Sequence, residues 1–133
     1  MIEVALEELR QHAAELADQA GVKVDIEQEG AQVFVILRSL PLPAKTYQVA
    51  TTDVLFITDT QYPLSAMDMF WTDPAVLRPD GSVPTNADSI EIYGGRQWRR
   101  FSWHRNGIWN PSGNCLLDHL EFMLDRFFQD RAA

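Results

Sequence analysis

The spacing of apolar residues changes twice along this chain, and that change limits most strongly what the chain can fold into. Residues 2–20 and the residues from Cys115 onward carry apolar side chains at the period of an amphipathic helix. Strand-type runs lie between these two stretches, at residues 22–28, 32–37, 48–58 and 67–71. The pattern predicts an α/β fold of the α+β type. In it, an N-terminal helix packs on a four-stranded antiparallel meander, and a loop and a C-terminal helix follow.

Composition favours a single folded domain over residues 1–133 and argues against several classes of function. Apolar residues make up 46% of the chain and aromatic residues 11%, which is typical of a globular protein. A formal net charge of −8 argues against nucleic acid as the main partner, because phosphate binding requires a basic surface. No apolar run is long enough to cross a bilayer, so no membrane partner is expected. The single cysteine excludes an internal disulfide and fits a reducing cytoplasm.

A turn-rich segment at about residues 72–97 follows the fourth predicted strand. Prolines and glycines recur through it, and only residues 89–93 alternate as a strand would. We expect this short strand to pair with residues 98–103 in a hairpin that turns at Gly94-Gly95. The segment is therefore predicted to be a loop interrupted by one strand of its own. Four arginines at or just after the end of this segment are expected to point outward or to dock an acidic partner protein. They are Arg96, Arg99, Arg100 and Arg105.

The only cysteine, Cys115, stands at the predicted start of the second helix, after a loop dense in turn-forming residues. A thiol at a helix N-terminus meets unpaired backbone N–H groups and the positive end of the helix dipole, and both favour the thiolate. We therefore expect an exposed and reactive thiol. Taken alone, however, a single free cysteine is more often a small buried apolar residue.

The residues around Cys115 resemble the active-site signature of ubiquitin-conjugating enzymes. His104-Arg105-Asn106 is similar to the His-Pro-Asn tripeptide of that family, with arginine in place of proline. Gly113-Asn114-Cys115-Leu116 is similar to the segment in which a leucine follows the catalytic cysteine, although the spacing from Asn106 is one residue longer here. Tyr62-Pro63 matches a Tyr-Pro motif between the third and fourth strands. With room for one helix after the cysteine, the chain looks most like compact bacterial members of the superfamily.

This resemblance implies a bacterial conjugating enzyme. Such an enzyme carries the C-terminus of a ubiquitin-like protein as a thioester, here on Cys115, and transfers it to an amine. The implied partners are a ubiquitin-like protein and a separate activating enzyme, with a deconjugating protease as a further component, and antiviral defence is one implied setting. No cofactor is expected. No metal is expected either, because Cys115, His104 and His119 lack the paired spacing of zinc ligands.

Four further residues are candidates for the active site. Asn106 matches the family's asparagine, whose amide would stabilise an oxyanion, although Asn-Gly is also a common turn pair. His104 matches the family's histidine and is expected to act as a hydrogen-bonded brace. His119 lies one helical turn after Cys115 and is either a helix-surface residue or a group that stabilises the thiolate or acts as a base. Asp118 is a candidate acceptor for the proton of the incoming amine.

Two other functions remain open from the sequence. A non-catalytic adaptor of the same fold would bind ubiquitin-like partners without forming a thioester. A cysteine hydrolase would use Cys115 with a histidine base and would require no activating partner.

Overall fold

Two helices and six strands make up the part of the chain that the computed structural model describes, which is residues 2–104, 109, 111–112 and 115–129. They follow the order α1 (Ile2–Ala20), β1 (Val24–Glu29), β2 (Gln32–Pro41), β3 (Thr51–Asp59), β4 (Phe70–Thr72), β5 (Ser89–Tyr93), β6 (Arg96–Phe101) and α2 (Cys115–Gln129). The predicted α+β class is confirmed. No helix within these ranges is long and apolar enough to cross a membrane.

Helix α1 has the bounds that the sequence predicts. Leu9, Ala13 and Leu16 are buried, and their spacing places them on one face of the helix. The helix ends where Gly21 adopts a positive φ of 67° and the N–H groups of Gly21 and Val22 both donate to the Ala17 carbonyl. Glycine adopts this left-handed conformation without steric cost, so the sequence sets the end of the helix.

The strands form one antiparallel sheet in the order β1-β2-β3-β4-β6-β5. The predicted number of four strands is wrong, because the β5–β6 hairpin joins the meander instead of standing apart from it. Phe70 of β4 pairs with Phe101 of β6, which extends the sheet by two strands. The hairpin turns at Gly94 and Gly95, whose φ angles of 60° and 71° suit a two-residue turn.

Strand β4 is shorter than predicted and begins later, at Phe70 rather than at residue 67. Met69 has a positive φ of 56°, which interrupts the extended backbone just before the strand. Its N–H donates to the Trp103 carbonyl, and its own carbonyl accepts a hydrogen bond from α2. Of the strand predicted at residues 67–71, only Phe70 and Trp71 therefore lie in β4.

The two faces of the sheet are covered differently. Both helices pack on one face, where Val33, Val35 and Leu37 of β2 point into the main core. The opposite face carries a second apolar cluster, whose buried members are Phe34, Ile36, Leu55, Trp71 and Trp98. Because β2 and β3 are apolar toward both faces, their sequences are continuous apolar runs and do not alternate.

The arginines of β6 do not form the outward docking face expected from the sequence. Arg99 is buried and donates to the carbonyls of Pro74 and Ala87. Arg96 pairs with Asp53 and Asp73, and Arg100 pairs with Glu91. Arg96 and Arg100 form ion pairs within the molecule because acidic residues in or next to neighbouring strands lie opposite them. The fourth arginine of that expectation, at position 105, lies outside the described residues.

Candidate active site

Cys115 is the first residue of α2, as the sequence predicts, but its side chain is not exposed. Only 1% of its surface is accessible, and it belongs to the main core together with Leu116, Leu120 and Met123. The expected exposure of the thiol is therefore wrong. The reason is that the apolar face of α2, which packs against α1 and the sheet, begins at the cysteine itself.

Tyr62 lies next to the start of α2 and is buried in the same core, with 1% of its surface accessible. The peptide bond between Tyr62 and Pro63 is cis. The indole N–H of Trp109 donates to the Pro63 carbonyl at 2.8 Å, which ties the segment before α2 to the Tyr-Pro turn. The turn singled out in the sequence thus directs an aromatic ring toward Cys115.

The hydroxyl of Tyr62 meets three polar groups. It is 2.6 Å from Nδ1 of His12, it hydrogen-bonds with the Cys115 side chain, and it accepts a hydrogen bond from the Leu116 N–H. That N–H is one of the donors that the first turn of a helix leaves unpaired, so Tyr62 also caps α2. Burial, followed by the nearby Cys115 side chain, raises the pKa of Tyr62 well above its usual value. The hydroxyl therefore keeps its proton over the neutral range.

His12 is the histidine that the sequence analysis did not single out. Its ring meets the edge of Tyr62 with centroids 5.5 Å apart, and its Nε2 lies 4.0 Å from a carboxylate oxygen of Glu8, one turn earlier on α1. A signal for it is present in the sequence, because His12 stands three residues after Leu9 and just before Ala13, within the apolar repeat of the helix. A polar residue in such a repeat requires a buried partner.

His119 is fully buried, so its interpretation as a helix-surface residue is wrong. Its Nε2 donates to the Met69 carbonyl at 2.7 Å. The ring packs edge-on against Phe56, with centroids 4.6 Å apart, and at a tilt of 31° against Phe122, with centroids 5.3 Å apart. His119 thus links α2 to the irregular backbone before β4, and a direct part in the chemistry of Cys115 remains a prediction.

The other candidate residues are less enclosed. The His104 side chain is 71% exposed, and its Nδ1 hydrogen-bonds with the Asp68 carboxylate. Asp118 is exposed in the first turn of α2, where the helix dipole favours a negative charge. Asn106 lies outside the described residues. The roles proposed for these three residues remain predictions.

No metal site coincides with Cys115 among the residues that the structure describes. Within those ranges, no three His, Cys, Asp or Glu side chains lie together as metal ligands would. A cavity of about 140 Å³ opens on the opposite face of the sheet, where Arg38, Tyr93 and Arg96 contribute to its lining. The candidate site is therefore a polar cluster on the helix-covered face, made of the buried Cys115 and Tyr62 and the half-buried His12.

Comparison with known proteins gives one informative match. A family described as prokaryotic E2 family E matches residues 9–129, a range that begins within α1 and ends with α2. No curated protein and no solved structure matches the chain. The matched range includes all three residues of the polar cluster.

Proposed function

The chain belongs to prokaryotic E2 family E, within the compact bacterial part of the ubiquitin-conjugating superfamily, and from this membership we propose that Cys115 carries a ubiquitin-like protein as a thioester. A conjugating-enzyme-type role follows from the family. The observation that carries the finer proposal is that the only cysteine of the chain begins α2, where backbone N–H groups favour a thiolate.

The chemistry requires two substitutions at one carbonyl carbon. In the first, the Cys115 thiolate attacks the activated C-terminus of the modifier, and the activating group leaves. In the second, an amine attacks the resulting thioester, loses a proton and expels the Cys115 thiolate. Attack on the thioester passes through an oxyanion that requires a fixed donor, and the Asn106 amide is the proposed donor. A separate activating enzyme and a ubiquitin-like protein are the proposed partners.

Burial of Cys115 adds one requirement to this proposal. The carbonyl carbon of a modifier cannot reach a sulfur of which 1% is accessible. Loading must therefore be preceded by a movement that opens the start of α2.

The thioester is the test of the proposal. Incubated with its activating enzyme, ATP and the modifier, the wild-type protein is expected to form an adduct that a thiol reagent cleaves. Cys115→Ala should form none, and Cys115→Ser should form an ester that resists the reagent. The Ser82→Ala variant, at a half-buried position in the segment between β4 and β5, serves as the control and should load normally. An adduct of undiminished yield in Cys115→Ala would overturn the assignment.

The burial of Cys115 favours a second candidate, which is an adaptor that binds ubiquitin-like partners without chemistry. For an adaptor, wild-type protein and Cys115→Ala would bind the modifier equally, and neither would form an adduct in the same assay. The hydrolase alternative remains a prediction. A hydrolase would release the modifier to water in the absence of an activating enzyme and of an amine.

A further inference from the structure

The geometry at the start of α2 points to Tyr62 and His12 as positioning residues that hold the Cys115 thiol and help to ionise it. This inference rests on the proposed function, because it assigns a purpose to the neighbours of the proposed nucleophile. It extends the site from the loop and α2 to the first helix of the chain.

The contacts of the Tyr62 hydroxyl account for all of its hydrogen-bonding capacity. A hydroxyl offers one proton and two lone pairs. The Leu116 N–H occupies one lone pair, which leaves the proton and the second lone pair for His12 and Cys115. Because the ring is buried in the main core, water does not compete for these positions. The hydroxyl is therefore fixed between an imidazole and a thiol.

Two arrangements of protons satisfy this geometry. In the neutral arrangement, the thiol donates to the Tyr62 oxygen and the Tyr62 hydroxyl donates to Nδ1 of His12. In the ionised arrangement, the hydroxyl donates to the thiolate and the protonated Nδ1 donates to the Tyr62 oxygen. Passing between them moves the sulfur proton to the Tyr62 oxygen and the original hydroxyl proton to His12. The net change is the transfer of one proton from sulfur to imidazole.

The surroundings of His12 support this direction of transfer. A carboxylate oxygen of Glu8 lies 4.0 Å from Nε2, so a negatively charged side chain stands on the side of the imidazole that faces away from Tyr62. The raised pKa of Tyr62 agrees with this proton transfer, because the phenol is neutral in both arrangements.

The remaining titratable groups on α2 near Cys115 have other contacts or positions. His119 donates to the Met69 carbonyl, and Asp118 is exposed. Tyr62 in the Tyr-Pro turn and His12 on α1 are the titratable groups from other elements on which this inference rests.

The test measures ionisation of the thiol directly. The ultraviolet absorbance of the thiolate is followed against pH, and the spectrum of Cys115→Ala is subtracted to remove the contribution of the tyrosines. Tyr62→Phe removes the donor to the thiolate. The midpoint should therefore rise by about one pH unit, which lowers the thiolate fraction at neutral pH about tenfold.

Two further variants separate positioning from packing. His12→Asn keeps a hydrogen-bonding group near the position of Nδ1 but cannot accept the proton, so its midpoint should rise in the same direction. Tyr93→Phe loses a hydroxyl that contacts Glu91 on the opposite face of the sheet and should leave the midpoint unchanged. If Tyr62→Phe does not fold, His12→Asn decides the question.

Thermal melts and the loading assay complete the design. Variants that melt earlier but keep the wild-type midpoint would overturn the positioning role, since packing alone would then explain the cluster. A raised midpoint in both variants supports it. The proposed function has its own test. It fails if the wild-type protein forms no adduct with the activating enzyme and the modifier, whatever the variants do to the titration midpoint of the thiol.

Discussion

At the scale of single residues, the proposed reactivity of Cys115 depends on which donors reach the sulfur and which reach the carbonyl that the sulfur would attack. The donors proposed for the sulfur are the Tyr62 hydroxyl and the backbone N–H groups at the start of α2. The carbonyl requires a different donor, because its oxygen becomes negative only during the reaction. The side chain of Asn106 is the candidate that the sequence supplies for this second task.

Substitution of Asn106 should separate the two steps of the proposed reaction. A donor that acts on the oxyanion of transfer stabilises the transition state more than the bound thioester, so Asn106→Ala should slow discharge to free lysine by about 10²-fold. Loading should fall less, and the thioester should accumulate. Single-turnover discharge measures this effect.

Gln48→Ala, an exposed change of similar size, is the control and should discharge at the wild-type rate. Normal discharge by a folded Asn106→Ala variant would mean that His104-Arg105-Asn106 is only a turn. The catalytic assignment would then depend on Cys115 and its buried neighbours.

At the scale of elements, the irregular segment between β4 and β5 is held to strand β6 by a buried guanidinium. The Nε of Arg99 donates to the Pro74 carbonyl at 3.1 Å, and one of its terminal nitrogens donates to the Ala87 carbonyl at 2.7 Å. These carbonyls belong to the segment between β4 and β5. One side chain therefore ties that irregular segment to a strand that pairs with β4.

Replacement of Arg99 should destabilise the fold. Arg99→Met keeps most of the apolar stem but removes the donors, so two carbonyls lose their partners in a buried region. The free energy of unfolding is expected to fall by about 1–3 kcal/mol in urea denaturation. Gln97→Met, at an exposed position of the same strand, should cost little. Equal stability of Arg99→Met and wild type would contradict this role.

The elements also show where the sequence suffices and where it does not. The bounds of α1, β5 and the start of α2 were predictable, because a glycine, a hairpin turn and a loop punctuate them. The place of the hairpin in the sheet was not, since pairing of Phe70 with Phe101 joins segments far apart in the chain. His12 was missed for the same reason, because its partner Tyr62 is 50 residues away.

At the scale of the whole molecule, acidic and basic side chains pair across the four strands β1, β2, β3 and β6, and they include Asp73, which follows β4. Arg38 joins Asp25 and Asp53, and Arg96 joins Asp53 and Asp73. The Arg38 hydrogen bond holds the pKa of Asp25 below its usual value. Burial alone would raise the pKa of Asp53, but the Ser39 N–H, Arg96 and Arg38 together lower it.

This network predicts how stability depends on pH. A carboxylate with a lowered folded-state pKa contributes stability above its unfolded pKa of about 3.9 and loses it as pH falls through the lower, folded value. The free energy of unfolding should therefore drop below about pH 4. Asp53→Asn should already lose about 1 kcal/mol at neutral pH and show a shallower acid decline.

Urea denaturation at a series of acidic pH values measures the dependence. The exposed Asp88→Asn is the matched control and should follow the wild-type curve. An acid decline equally steep in Asp53→Asn and wild type would mean that other carboxylates dominate.

The cluster of His12, Tyr62 and Cys115 draws on the first helix, a mid-chain turn and the last helix that the structure describes. During synthesis, the histidine and the tyrosine leave the ribosome long before the cysteine. A nascent or misfolded copy therefore holds only an ordinary thiol. The thiol meets the two residues proposed to activate it when α2 docks. For this chain, docking of α2 and assembly of the contacts proposed to ionise the sulfur would be one event, so an incompletely folded copy would lack those contacts.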